Sequence, residues 1–300
     1  MIPISQIVEL LDREFRVEEV GDPGLVKHAI SEVGRAKATE AFLNERSGLM
    51  FDFAETVSCV YCVVFTTTEV FDRLLAMAEG PSLIFTHHPH NYYEDSRGIR
   101  PFPEDYLKRF EEKEIAVYTI HAPLDVGLNI CVSKSFADRL CLSNTKPFYE
   151  ANGGYLGIMG TLDTADIDVM AQYVSRSLGI DTVDVFNNGA EKGFTAVVAG
   201  GGDQPGVLKK AKELGCTTYI TGTAVHRWAF EPVQKSNKEF HSLAKELKIN
   251  LIGASHYHTE KCAVQDVATF LQEKGYQATF LEDPILTRYT SGNWQRLLKD

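Results

Sequence analysis

Two adjacent histidines, His87 and His88, stand between an apolar run and a proline in Thr86-His87-His88-Pro89. Imidazoles at neutral pH act as metal ligands or proton carriers. Three further apolar runs end the same way: in His121-Ala122-Pro123-Leu124-Asp125, in His256-Tyr257-His258-Thr259-Glu260, and in Thr221-Gly222-Thr223-Ala224-Val225-His226. If a helix opens near Tyr257, His256 and Glu260 fall at i and i+4 on one face, where an imidazole and a carboxylate can share a metal. The competing reading is an ordinary polar helix face. On a strand His87 and His88 would point to opposite sides, but Pro89 ends the ladder and lets the backbone turn, so that they can serve two neighbouring ions. Asp125 is either a helix N-cap or a ligand.

Together, His87, His88, Asp125, His256 and Glu260 exceed the three or four protein ligands of a single zinc site. Two divalent ions close together accommodate them, with His88 and Asp125 on one, His87 and His256 on the other, and Glu260 bridging. The mixed nitrogen and oxygen set suits zinc, iron, manganese, cobalt or nickel alike. Other metal motifs fail on spacing. An H-x-H-x-D-H pattern starting at His88 meets Tyr92 and Tyr93 where Asp and His are required, and H-E-x-x-H is absent.

The elements that must position these groups alternate between helical and extended periodicity, which is an α/β pattern with mixed or mostly parallel sheets. Helices are expected at about 5–15, 25–44, 69–79, 104–113, 165–178, 206–214, 236–247 and 259–274. Strands are expected at about 57–65, 82–86, 115–120, 155–160, 182–187, 194–199, 217–221, 249–254 and 276–281. Of the nine histidines, seven fall just past a strand, whereas His28 and His241 fall in helices. Open α/β sheets gather ligands at the carboxyl ends of their strands, which is where the candidates lie. Leu142 to Gly154, rich in turn formers, reads as a linker between two runs of such elements. Gly200-Gly201-Gly202-Asp203-Gln204-Pro205-Gly206 follows a strand and opens a helix, so its backbone N–H groups could receive a phosphate; the competing reading, without a ligand, has Asp203 as N-cap and Pro205 in the first turn.

Composition narrows the function classes. A hydrophobic share of 44% with 24% charged residues is ordinary for a globular chain. The net charge of -11, with Lys and Arg scattered, argues against a nucleic-acid partner. Met1 to Phe15 lacks the basic start and apolar core of a secretory signal, and the longest apolar run, Val57 to Phe65, is too short to span a bilayer. A cytoplasmic location follows as an expectation. Cys59 and Cys62 form a C-x-x-C inside a strand-like run, where residues three apart face opposite sides and cannot chelate.

With these segments laid out, the chain resembles the GTP cyclohydrolase 1 type 2 homologue family, also called NGG-interacting-factor-3-like. The shared pattern is T-H-H-P at Thr86–Pro89, H-x-x-L-D at His121–Asp125 and H-Y-x-T-E at His256–Glu260, in that order. The family's D-N-x-G-L is reduced to Gly48-Leu49, Thr223 stands where an acidic residue often follows Thr-Gly, and His90 replaces an apolar residue. The resemblance implies a dinuclear metal site on His87, His88, Asp125, His256 and Glu260. It also implies two α/β lobes, one of residues 1–128 plus 251–300 and a second, 129–250, inserted into it, and a ring-shaped homohexamer.

Two classes of function fit. One is a metal-dependent hydrolase acting on a small molecule such as a nucleotide, with hydrolytic opening of the GTP purine ring at C8 as the activity the family name suggests. His121 or His226 would then move protons, or His121 would orient Asp125. A two-metal phosphoesterase or amidohydrolase is the rival within enzymes. The other class is a metal-holding regulatory scaffold without turnover, distinguished by ions that keep no open coordination position.

Overall fold

The computed structural model describes residues 1–27, 29–164 and 166–288. The helical expectations for His28 and Ala165 lie outside them. The chain forms two compact units: Met1–Tyr92 with Ile99–Ile130 and Val264–Ile285, and Tyr93–Gly98 with Cys131–Ala263 and residues 286–288. Both are mixed α/β layers, and no described helix is long and apolar enough to cross a membrane.

In the first unit a five-stranded sheet runs in the order Ala278–Phe280, Cys59–Val63, Ser82–Thr86, Ile115–Thr119, Gly48–Phe51. The first four strands are parallel and the last is antiparallel to its neighbour. Ser82–Thr86 and Ile115–Thr119 are buried at every residue. A sheet covered on both faces reads as a continuous apolar run, so these strands show no alternation. Cys59 and Cys62 lie on the Cys59–Val63 strand, as expected, with Cys62 buried and Cys59 half-buried. Phe71 of the Thr68–Met77 helix packs with Phe102 and Phe110 at centroid distances of 5.2 and 4.9 Å. Such aromatic pairs each add about 0.5–1.5 kcal/mol beyond their buried area.

The single helix expected over 25–44 is instead two short helices, Glu32–Arg35 and Glu40–Leu43. Ser31 and Thr39 interrupt it, because each hydroxyl accepts a backbone N–H of the following turn and starts a new helix. The carboxylate of Glu104 then takes the Ser31 and Gly34 N–H groups at 2.7 and 3.0 Å.

The second unit is built on a six-stranded sheet in the order Asp184–Phe186, Asn250–Gly253, Cys216–Thr221, Phe194–Val198, Gly154–Thr161, Ser143–Ala151. Its three central strands are parallel and the flanking strands antiparallel. Val207, Leu208 and Ala211 of helix Pro205–Glu213 and Phe240 and Ala244 of helix Glu231–Glu246 share one core with Tyr219 and Leu251.

The segment expected as a linker is the edge strand Ser143–Ala151, joined to Gly154–Thr161 through the two-residue turn Asn152-Gly153. Both turn residues have positive φ, 48° and 75°, as a tight hairpin of this twist requires. Pro147 is tolerated because an edge strand has one unpaired side. Where the family resemblance implies a return to the first lobe at 251, Asn250–Gly253 pairs inside the second sheet, and the division falls within helix His256–Glu273, at Val264.

Candidate functional site

In the first unit, parallel pairing sets Thr86 level with Thr119, so the segments carrying His87-His88 and His121 leave one sheet edge together. The ladder continues one step on: His87 and His88 donate their backbone N–H groups to Val63 and Val64 at 3.2 and 3.0 Å. The Nδ1–H of His87 donates to the Ile120 carbonyl at 2.8 Å. A carbonyl only accepts, so this bond fixes the ring tautomer and leaves Nε2 with a lone pair. That Nε2 lies 3.6 Å from Oδ1 of Asp125. His88 stacks on Phe65 at 4.3 Å and 6°, and its ring centroid is 4.2 Å from that of His87.

Asp125 ends the short helix Ala122–Asp125 and is not its N-cap; His121 occupies that position. Nε2 of His121 is 3.7 Å from Oδ2 of Asp125, and its ring lies 5.4 and 5.0 Å from those of His87 and His88. Its Nδ1 faces Oδ1 of buried Asp22 at 3.2 Å. The other Asp22 oxygen accepts from the Ser47 hydroxyl and the Ala122 N–H, each at 3.0 Å. Burial pushes the Asp22 carboxyl up, but the hydrogen bond and charge of His121, with the Ala122 and Ser47 donors, hold it below the usual carboxylate range.

In the second unit, Val198, Thr221 and Gly253 lie level across three parallel strands, so the loops after them share one edge. Helix His256–Glu273 starts there, with the Ser255 hydroxyl accepting the His258 N–H at 3.2 Å. The i, i+4 spacing delivers what the sequence suggested, with Nε2 of His256 2.9 Å from Oε1 of Glu260. Nδ1 of His256 lies 3.4 Å from the Thr223 hydroxyl. Gly200, at φ 64°, packs against the pair so closely that a Cβ there would stand 2.1 Å from Oε1 of Glu260. Thr259 holds that loop through a 3.0 Å bond from the Gly200 N–H. His258 turns elsewhere: buried, beside the Ser255 hydroxyl at 2.9 Å, it is driven down to a pKa of about 3 by desolvation and Lys261.

One carboxylate of this unit escapes a sequence reading, and another has a different role from the one expected. Glu94, between strands Asn91–Tyr93 and Gly98–Arg100, accepts from the Ser255 hydroxyl at 2.6 Å and the Tyr257 N–H at 3.1 Å, anchoring the turn that presents His256. Burial raises its pKa against these donors and the nearby His256. Asp203 does not cap the following helix, whose N-cap is Gln204; it binds Nε2 of His226 at 3.0 Å and the Asn237 amide at 2.9 Å. Asp22 is the corresponding omission in the first unit, and only its place in Gly21-Asp22-Pro23, a turn sequence that leaves a carboxylate without a helix to serve, hints at a role.

Among the described residues, His87 and His88 of the first unit and Glu260 of the second are each buried side chains of the kind that hold a metal ion. The imidazole and carboxylate donors suit first-row divalent ions.

A "GTP cyclohydrolase 1 type 2 homolog" of Pyrococcus horikoshii is 25% identical over 243 residues, 80% of this chain and 90% of that protein. One from Archaeoglobus fulgidus is 26% identical over 241 residues, covering 79% and 89%. Among solved structures, protein ybgI, of unknown function, matches with a TM-score of 0.70 at 19% identity, over 95% of this chain and 100% of its own. TTHA1606 from Thermus thermophilus matches at 0.65 and 20%, over 94% and 99%. The profile of one family spans residues 35–284, and by that match the chain belongs to the Duf34/NIF3 (NGG1p interacting factor 3) family.

Proposed function

We propose that the protein is a hydrolase working with two divalent metal ions held by His87, His88, Asp125, His256 and Glu260, and that its reaction is ring opening of a purine nucleotide. The observation that carries the reading is the state of His87: its Nδ1–H is tied to a backbone carbonyl, which leaves Nε2 as a donor beside the Asp125 carboxylate. A histidine ligand held through its second nitrogen is the usual arrangement of a metal site. Gly200 supports it independently, since any side chain there would fill the space Glu260 occupies.

Bound ions would polarise the substrate and acidify a water molecule. The chain's own groups do the rest. Glu260 and His256 project from one helical turn and bind as a pair. Phe65 stacks on His88 and holds its ring, keeping water off that face. His121 stands beside Asp125, where its Nε2 can hold a proton. The printed names of the relatives favour GTP as the first substrate to test.

The experiment is metal analysis of the purified protein, then incubation with GTP and assay of formate, alongside Glu260→Gln. Formate from the wild type but not from the variant is the expected result, with about two ions per chain. Release of inorganic phosphate instead redirects the reading to a phosphoesterase. Unchanged metal content in a His88→Ala/Glu260→Gln double variant rules out the site.

A further inference from the structure

We propose that the ring of Phe230, stacked on Trp228, is the ledge on which the base of the substrate lies. The inference deepens the proposed reading and rests on it for the class of substrate, a purine nucleotide. It starts from an aromatic pair that the second unit props up and leaves open. The rings of Trp228 and Phe230 stack at 4.9 Å and 24°. A Cβ at Gly98 would stand 2.4, 2.4 and 2.5 Å from Cδ1, Cγ and Nε1 of Trp228, and distances so nearly equal place that glycine over the face of the five-membered ring rather than at its edge. Trp228 thus rests on the Gly98 backbone and carries Phe230 stacked on it. Phe230 ends the pile and is 48% exposed.

Local structure does not account for Phe230. It is the N-cap of helix Glu231–Glu246, a position where a short polar side chain would bind a backbone N–H, and it makes no such bond. The loop that presents it is nonetheless held firmly. The Gln234 amide donates to the carbonyls of His226 and Trp228 at 2.8 and 2.6 Å, Asn237 donates to that of Ala224 at 3.0 Å, and Arg227 pairs with Asp184 at 2.9 Å. That loop begins with Thr223, whose hydroxyl lies against Nδ1 of His256. The turn that supports Trp228 through Gly98 also anchors the start of helix His256–Glu273 through Glu94. The ledge and the His256–Glu260 pair therefore brace on the same turn at one sheet edge. A base is the part of a nucleotide that suits the ledge: every base has a π face to lay on an aromatic ring, whereas exposed Glu231 beside Phe230 repels a phosphate.

The test uses the full chain as purified, with 7-deazaguanosine as the probe. This nucleoside keeps the planar base, has carbon in place of N7 so that hydrolytic opening does not occur there, and has no phosphate to lose. Isothermal titration should show saturable binding to the wild type and none of ribose alone. Phe230→Ala should weaken binding about 5- to 150-fold, the equivalent of about 1–3 kcal/mol for one stacked base. Phe230→Tyr should restore it. No binding by the wild type, equal binding by Phe230→Ala, or a smaller assembly in sedimentation with binding unchanged, which would make the ring a contact between copies, each overturns the proposal. Saturation transfer from aromatic protons of the wild type should reach the base protons more strongly than those of the ribose; the reverse order overturns the proposal even if a variant does not fold.

In turnover of GTP, Phe230→Ala should raise KM by a similar factor with kcat little changed. A loss in kcat with KM intact overturns the role of the ring as a ledge for the base. Absence of formate from the wild type counts against the proposed reaction alone, because binding is read with a probe that does not react.

Discussion

Replacing Gly200 with alanine should damage the half-site on helix His256–Glu273 while sparing the fold. Two effects add. The backbone at Gly200 has φ 64°, and a residue with a Cβ in that left-handed region costs about 1–2 kcal/mol. The new Cβ would also sit 2.1 Å from Oε1 and 3.0 Å from Cδ of Glu260, and 3.2 Å from Nε2 of His256. Carbon contacts relax near ~3.5–4 Å, so the carboxylate must retreat by more than about 1 Å, whereas metal-ligand distances tolerate only about 0.2 Å. The strain alone lowers the melting temperature by a few degrees, at about 2–4 °C per kcal/mol for a unit of this size. The displaced carboxylate should cost metal affinity at least about tenfold. Isothermal titration with Zn(II) or Mn(II), with thermal unfolding of the metal-free protein, measures both. Gly201→Ala is the internal control: its Cβ would meet only Cε1 of His256, at an ordinary 3.8 Å. Equal affinity for Gly200→Ala and wild type, or equal damage from Gly201→Ala, would refute the reasoning.

Asp22 makes stability pH-dependent in a defined direction. Its folded-state pKa lies below the ordinary one, so its contribution is fully present above the usual aspartate range, ~4, and is lost as pH falls through the lower folded value. The urea midpoints of wild type and Asp22→Ala should therefore be well separated near neutrality and converge in acid; a gap that widens in acid contradicts the assignment. Tyr118→Phe removes a 2.8 Å bond from a buried phenol to Asp12, whose Oδ2 remains 3.1 Å from Arg46. It should cost about 1–2 kcal/mol with an unchanged m value in urea unfolding, and an unmoved midpoint argues that water replaces the hydroxyl.

What the sequence displays is governed by how local its cause is. Thr86-His87-His88 and His121 are legible as strand ends because their strands are apolar throughout, and the register of those strands does the rest. His256 and Glu260 are legible because i, i+4 is fixed by the helix itself. Strand Ser143–Ala151 is not, since an edge strand exposed at most positions carries no burial pattern and only Asn152-Gly153 betrays the hairpin. The break at Ser31 and Thr39 is signalled by residues that cap helices more readily than they continue them. Asp22 and Glu94 act on partners 99 and 161 residues away in sequence, and no spacing rule reaches so far.

The two histidine orienters of the first unit differ in their exposure to mutation. His87 is held by the main-chain carbonyl of Ile120, and a carbonyl is present whatever side chain position 120 carries, so a missense change there leaves the acceptor itself in place. His121 is held by the side chain of Asp22, which one codon change removes. Heritable variation can therefore tune or abolish the setting of His121 readily, while that of His87 is written into the backbone.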